Sequence, residues 1–382
     1  VRVERIGDAT LYIGDCVESM RQMEDGSVNT CVTSPPYFGL RSYTPEAMRL
    51  RANLAPSERE DVELELDLLG LRPTAFYRKS EVSDHLQHYF QPAELGAEPT
   101  PEEYVERLVD VFREVWRVLR DDGTVWLNLG DSYISGGRTW RAPDRLDSKN
   151  GRAASNRAAT PTGLKPKDLI GIPWRVAFAL QADGWYLRQD IVWHKPNPMP
   201  ESVRDRCTKA HEYVFLLSKS PKYYYDHEAA KEPMHSNKGN GKSFRGGGSY
   251  TAGNSFNNHA VKGRETHGNA PNETGQRNRR SVWTVATRPY MGAHFSTFPP
   301  ALIEPCILAG CPVGGTVLDP LAGSGTTAGV ALKHNRTAVI CELNPDCEEM
   351  VRERIEQITR GRAACDTSTW RGLSPSLEVF DG

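Results

Sequence analysis

Thr316-Val317-Leu318-Asp319-Pro320-Leu321-Ala322-Gly323-Ser324-Gly325-Thr326-Thr327, close to the end of the chain, decides the fold. The apolar run at its start reads as a strand, the glycines as a tight turn, and residues 326–334 as a helix. Such a turn brings backbone N–H groups close to a ligand at a helix N-terminus. A second strand and turn lies near the start, where residues 28–32 run into Thr33-Ser34-Pro35-Pro36-Tyr37. A Pro-Pro-aromatic turn after a strand offers rigid, outward-facing carbonyls and a flat ring. One turn suits a nucleotide-like cofactor, the other a planar substrate.

Outward from these turns, strand-like and helical runs alternate, which argues for an α/β fold on a parallel sheet. The predicted strands are 10–13, 28–33, 124–129, 186–193, 213–218, 316–318 and 337–341. The predicted helices are 101–119, 172–182, 299–309, 326–334 and 345–358. In the first of these, Tyr104, Val105, Leu108, Val111, Phe112, Val115 and Leu119 form a stripe of period 3.6. The order is odd, because a cofactor-binding half normally begins with the strand that carries the glycine-rich turn. Here about two strands follow that turn before the end. The sheet closes if the N-terminal strands continue where the C-terminal ones stop. The expectation is a circularly permuted, seven-stranded sheet.

At 382 residues the chain can bury a sizeable core, as one large domain with inserted segments. The net charge of −2 gives no global signature of nucleic-acid binding, so any such surface is local. Eight cysteines without a C-x-x-C pair argue against zinc. Without a signal peptide or an apolar run of membrane length, a reduced, cytoplasmic protein with no membrane partner is expected. The expected organisation is a catalytic-motif part at 1–44, an insertion with an acidic run at 45–98, and a continuation at 99–230 with a Gly/Arg/Asn-rich loop at 135–167. A basic stretch follows at 231–280, with nine Lys and Arg against three Glu, then a cofactor-binding part at 281–361 and a flexible tail at 362–382. Local basic charge beside a catalytic sheet suits contact with DNA phosphates, and solvated loops look the same.

Gly323-x-Gly325-x-x-Ala328 also satisfies the dinucleotide fingerprint, with Glu342 about where a ribose-binding acid belongs. A P-loop is excluded, since no lysine follows the last glycine. Taken together, the two motifs resemble the amino-methylating DNA methyltransferases. That family joins an S-adenosylmethionine loop to an (S/N/D)-P-P-(Y/F/W) loop, here in the permuted (beta) order with Pro-Pro-Tyr first. Three features favour S-adenosyl-L-methionine over NAD. The turn opens with Asp319-Pro320, too little chain follows for a second nucleotide-binding half, and His294-Phe295-Ser296-Thr297-Phe298-Pro299-Pro300 resembles the segment flanking the methionine moiety. The resemblance spans 11–43, 123–133, 165–226 and 281–358.

It implies a Rossmann-like methyltransferase sheet with inserted DNA-recognition loops. Asp319, Pro320, Ala322, Gly323, Ser324, Gly325 and Thr326 would lie along the cofactor, with His294, Ser296, Thr297 and Phe298 on its methionine side. Glu342 would accept the ribose hydroxyls, since a carboxylate at a strand end can take two hydrogen bonds. Asn344 belongs to the same cofactor set. Asp15 would lie near the adenine, although its position equally fits a helix N-cap.

The chemistry explains the other motif. An exocyclic base nitrogen is a poor nucleophile, because its lone pair delocalises into the ring. Acceptors on its N–H groups return electron density to it, and the Ser34 side chain and Pro35 carbonyl could supply them. Pro36 completes the turn and Tyr37 would stack on the base for in-line attack, which is mainly a positioning effect. The target must be flipped from the duplex, a cost that stacking offsets. Within the family, Ser before Pro-Pro favours cytosine N4, with adenine N6 the alternative. Asp190-Ile191-Val192-Trp193-His194-Lys195-Pro196-Asn197 resembles the far wall of the base pocket. There Trp193 is either a second stacking surface or a core residue, and Lys195 lines the pocket. Cys306 in its apolar run reads as core and not as a C5-methylating nucleophile. His194 and His294 lack metal-ligand spacing, so no metal is expected. The expected partner is double-stranded DNA, with a restriction endonuclease as companion and the chain a monomer or homodimer. An NAD-dependent oxidoreductase and a non-catalytic DNA-binding module are the readings from other classes.

Overall fold

In a computed structural model, the structure describes residues 1–39, 47–50, 54–69, 77–78, 82–83, 85–86, 89–92, 94–134, 164–233, 275–287 and 298–360. The strands are β1 (Arg2–Ile6), β2 (Ala9–Ile13), β3 (Val28–Thr33), β4 (Ala47–Leu50), β5 (Tyr77–Arg78), β6 (Phe90–Pro92), β7 (Leu119–Leu129), β8 (Tyr186–His194), β9 (His211–Ser218), β10 (Glu232–Pro233), β11 (Gln276–Arg277), β12 (Val282–Thr284), β13 (Thr316–Asp319) and β14 (Thr337–Glu342). The helices are α1 (Cys16–Met20), α2 (Pro56–Leu68), α3 (Pro101–Val118), α4 (Ile172–Ala182), α5 (Pro300–Gly310), α6 (Thr326–Lys333) and α7 (Glu348–Arg360).

The main sheet has nine strands in the order β1-β2-β14-β13-β3-β7-β9-β8-β12. Its middle seven are the seven predicted strands. The count differs at the edges, where β1 pairs antiparallel with β2 and the three-residue β12 pairs parallel with β8. The permutation is real. β14 lies parallel to β2, with Ile340 opposite Leu11, and β13 lies parallel to β3, with Leu318 opposite Cys31. Counted from β13, the middle strands run third, second, first, fourth, fifth, seventh, sixth. The order reverses between β13 and β3, which opens a crevice at their carboxyl ends, the place where open α/β sheets bind ligands.

Helices cover both faces of the sheet. Val125, Leu127 and Leu129 of β7 join a core with Tyr104, Leu108, Phe112 and Val115 of α3 and Val176 and Leu180 of α4. Thr124 and Trp126 alternate to the other face, where a Cβ added to Gly310 of α5 would meet Thr124 Oγ1 at 2.6 Å and Trp126 Nε1 at 2.7 Å. The α3 helix starts where Thr100 accepts the Glu103 N–H at 3.2 Å with Pro101 in the first turn. The acidic run of the expected insertion is α2. Val62 and Leu66 on its inner side pack with Leu50, Val82, Leu86 and Phe90 into a satellite core.

The chain divides into two compact units, 1–226 with 281–382, and 227–280. In the second, β10 pairs antiparallel with β11, and Glu232 accepts from Arg277 Nε and Arg280 Nε, each at 2.8 Å. Most of the basic stretch 231–280, the loop 135–167 and the tail 362–382 lie outside the described residues. No helix among the described residues is long and apolar enough to cross a membrane.

Candidate active site

Six chemically distinctive residues lie along the carboxyl edge of the parallel strands: Asp319 ending β13, Glu342 ending β14, Ser34 after β3, Asn128 near the end of β7, Trp193 near the end of β8, and Glu212 at the start of β9. β9 runs antiparallel to β7 and β8, so its first residues share this edge, with Glu212 opposite Trp193.

The turn after β13 is built by its backbone and by a buried carboxylate. Gly323 has φ of +52° and Gly325 φ of +78°, a region unfavourable to side chains. At Gly325 a Cβ would also lie 2.9 Å from Val351 Cγ1. The Asp319 Oδ1 atom accepts from Thr33 Oγ1 at 2.7 Å and from the Leu321 N–H at 3.1 Å, and Oδ2 accepts from Thr327 Oγ1 at 2.6 Å. Burial pushes its pKa up to about 6, against these three donors. Asp319 therefore ties the two turns together. Ser324 and Thr326 are also buried, their hydroxyls 3.2 Å apart. Their hydroxyls and the Asp319 carboxylate brace the turn from inside the protein. Pro320, Ala322 and Gly325 are buried as well, and Leu321 and Gly323 are partly open.

Glu342 sits in a recess, enclosed by protein yet reachable by solvent. Its carboxylate accepts backbone N–H bonds from Asn344, at 3.0 Å, and from Gly323. Burial nonetheless pushes its pKa up to about 7. A carboxylate so placed has lone pairs left for further donors, such as the hydroxyls of a vicinal diol. The Asn344 side chain caps a 3-10 turn, its Oδ1 accepting the Asp346 N–H at 3.0 Å. For Asp15 the capping role is realised, with Oδ1 accepting the Glu18 N–H at 2.9 Å at the start of α1. Its neighbour Gly14 donates to the Glu342 carbonyl at 2.8 Å, so Asp15 also lies beside the recess. Phe298 is half-buried just before α5, while His294, Ser296 and Thr297 lie outside the described residues.

The turn after β3 is fixed by side chains from elsewhere. Tyr104 of α3 donates its hydroxyl proton to the Pro36 carbonyl at 2.9 Å. The Gly39 N–H reaches Gly96 O at 2.9 Å, and a Cβ on Gly96 would come within 3.0 Å of Tyr37 O. Gly96 is held in turn by Glu98, which pairs with Arg107. On Gly130 a Cβ would lie 2.4 Å from the Tyr37 ring. The Tyr37 hydroxyl donates to Glu212 Oε2 at 2.7 Å, and Ser34 Oγ donates to Asn128 Oδ1 at 3.2 Å. Burial first, and then the Glu212 charge, hold the Tyr37 pKa well above its ordinary value, so the hydroxyl remains a donor. Pro36 thus acts as an anchor of the turn.

Trp193 is 3% exposed, its indole N–H donates to Val285 O at 2.8 Å, and the Lys195 ammonium lies 4.2 Å over its ring. Its polar edge and one ring face are therefore engaged within the protein. Cys306 is fully buried within α5. Sequence reasoning missed Asn128 and Glu212. A buried Asn within the apolar run Thr124–Leu129 was a readable signal, whereas Glu212 at a strand start was not. No group of three or more potential metal ligands occurs among the described residues.

Residues 28–353 match the N6/N4 methyltransferase family model, described as DNA methylase. The chain belongs to this family. The Type II methyltransferase M.SmaI of Serratia marcescens is 42% identical to this DNA methylase over 345 residues, 90% of each chain. M.Cfr9I, a Type II methyltransferase of Citrobacter freundii, is 41% identical over 351 residues, 92% of this chain and 89% of its own. The solved PvuII DNA methyltransferase (cytosine-N4-specific) aligns over 94% of this chain and 93% of its own, with a TM-score of 0.51 at 15% identity, a likeness of fold. DNA methylases of this family use S-adenosylmethionine. The glycine turn, with the Glu342 recess beside it at the switch point, fits that cofactor.

Proposed function

We propose that this DNA methylase transfers a methyl group from S-adenosylmethionine to the exocyclic N4 of cytosine at a specific site in duplex DNA. The setting is the modification half of a Type II restriction–modification pair, as the relatives' names indicate for them. The observation that carries the reading is the hydrogen bond from Thr33 to Asp319, which ties the Pro-Pro-Tyr turn to the cofactor turn.

S-adenosylmethionine supplies an electrophilic methyl on a sulfonium. Glu342 accepts the ribose hydroxyls from the recess beside the Gly323 turn. Asn128 Oδ1 accepts the Ser34 hydroxyl hydrogen bond, so Ser34 presents lone pairs and not a donor toward the base. An acceptor there draws on an amino N–H and returns electron density to the nitrogen. Tyr37, tethered at its hydroxyl and pressed on Gly130, holds the target ring by a fixed aromatic surface, so that geometry does most of the work. Forming the N–CH3 bond would break the S–CH3 bond, with S-adenosylhomocysteine as leaving group, and the cationic product would lose one amino proton to solvent water.

Ser rather than Asp before Pro-Pro supports cytosine over adenine. The basic stretch 231–280 is proposed to read the site, as its Asn, Arg and Gln side chains suit base edges. A Gly/Ser linker in its place should abolish site-specific methylation and spare cofactor binding. Mass spectrometry of nucleosides from treated duplex DNA tests the target base. N4-methylcytosine is expected, N6-methyladenine would move the target to adenine, and the absence of both would overturn the reading.

A further inference from the structure

One carboxylate gathers the contacts that shape the catalytic turn without itself belonging to it. Glu212 Oε2 accepts from the Tyr37 hydroxyl at 2.7 Å and lies 3.4 Å from Asn128 Nδ2. Its other oxygen, Oε1, pairs with the Lys195 ammonium, and both side chains are largely buried. Asn128 Nδ2 also donates to the Tyr213 carbonyl at 3.0 Å. With two acceptors on its nitrogen side, the amide must turn its oxygen toward Ser34 Oγ. The Tyr37 hydroxyl has one proton, and the shorter contact assigns it to Glu212. Its 3.3 Å approach to Asn128 Oδ1 is secondary.

We infer that Glu212 is a positioning residue for methyl transfer, holding the Tyr37 ring by its hydroxyl and turning the Asn128 amide so that Ser34 becomes an acceptor toward the target amino group. This rests on the roles proposed above for Ser34 and Tyr37. A carboxylate suits the place because both of its oxygens accept, from the ammonium on one side and from the hydroxyl and amide N–H on the other. A glutamine of the same shape must turn its NH2 toward the ammonium, or toward the Asn128 NH2 and a Tyr37 hydroxyl that must then accept and send its proton elsewhere. The amide of Asn128 is then free to flip, and the Ser34 proton with it.

The test is single-turnover methylation by the full chain at saturating S-adenosylmethionine and DNA. Glu212→Gln should slow transfer by roughly tenfold to a hundredfold, the scale of a misplaced reacting group. Cofactor affinity and the KM for DNA should stay within about twofold of the parent. Tyr37→Phe added to Glu212→Gln should cost less than about twofold more, because coupled residues are not additive. An unchanged rate in Glu212→Gln overturns the inference. So does a loss that falls on cofactor affinity, which would make the residue structural, or full multiplication of the two losses. A parent protein that transfers no methyl group would instead contradict the function proposed above, and this inference with it.

Discussion

The turn after β13 is held in shape mainly by its own backbone and one buried carboxylate, whereas the turn after β3 is held by several side chains that arrive from distant parts of the chain. The first needs Gly323 and Gly325 at positive φ and one buried aspartate beneath them. The second needs Tyr104 on Pro36, Asn128 on Ser34, Glu212 on Tyr37, and the bare backbone of Gly96 and Gly130. A backbone-built loop presents N–H groups and leaves its chemistry to the bound cofactor. A loop fixed from outside can hold a hydroxyl in one chosen sense, donor or acceptor, and that is what activating an amino nitrogen requires. Substitutions should therefore separate cleanly into cofactor effects and transfer effects.

The largest expected effect is on the side-chain-built turn. Tyr37→Ala removes the ring and its tether, so single-turnover transfer should fall by about a hundredfold or more. Isothermal titration should find S-adenosylmethionine affinity close to the parent, and a matching loss of cofactor affinity would break the division between the turns. Next in size, Glu342→Ala should weaken cofactor binding by about tenfold to a hundredfold, the worth of hydrogen bonds to a charged group. DNA affinity, read by fluorescence anisotropy, should be nearly unchanged.

A smaller effect is set by pH. The Glu342 pKa is raised to about 7 by burial, so the carboxylate protonates as pH falls through that value. The ionised form is the better acceptor for two hydroxyls. Cofactor affinity should therefore drop roughly tenfold from pH 8 to pH 6, and Glu342→Gln should flatten the profile. An equally steep profile in Glu342→Gln would assign the titration elsewhere. The smallest effect is expected for Thr33→Val, which removes one of three donors from the buried Asp319. Thermal unfolding should show a loss of about 1 kcal/mol, with transfer slowed more than cofactor binding.

The same contrast explains what could be read from the sequence. All seven middle strands were legible as strand-like runs, and the permuted order followed from counting strands after the glycine turn. β1 was not, because Arg2, Glu4 and Arg5 interrupt it and an edge strand need bury little. β12 is only three residues long. The glycine turn carries its conformation in its own residue types, so its place was visible, but not the burial of Asp319, Ser324 and Thr326 within it. The Pro-Pro-Tyr turn was visible too, while its supports were not. Glu212 comes 175 residues after Tyr37 and reaches it only because β9 runs antiparallel between β7 and β8. Trp193 was ambiguous for a similar reason, since its indole N–H is engaged by Val285, 92 residues away in the chain.

The most direct measurement is the single-turnover methylation rate of Glu342→Ala and Tyr37→Ala, each followed to saturating S-adenosylmethionine on the same duplex. Excess cofactor should return Glu342→Ala to nearly the parent rate, because the turn after β3 is intact in it. Tyr37→Ala should stay slow at every concentration. If saturating cofactor fails to rescue Glu342→Ala, or rescues Tyr37→Ala, the two turns do not divide binding from transfer.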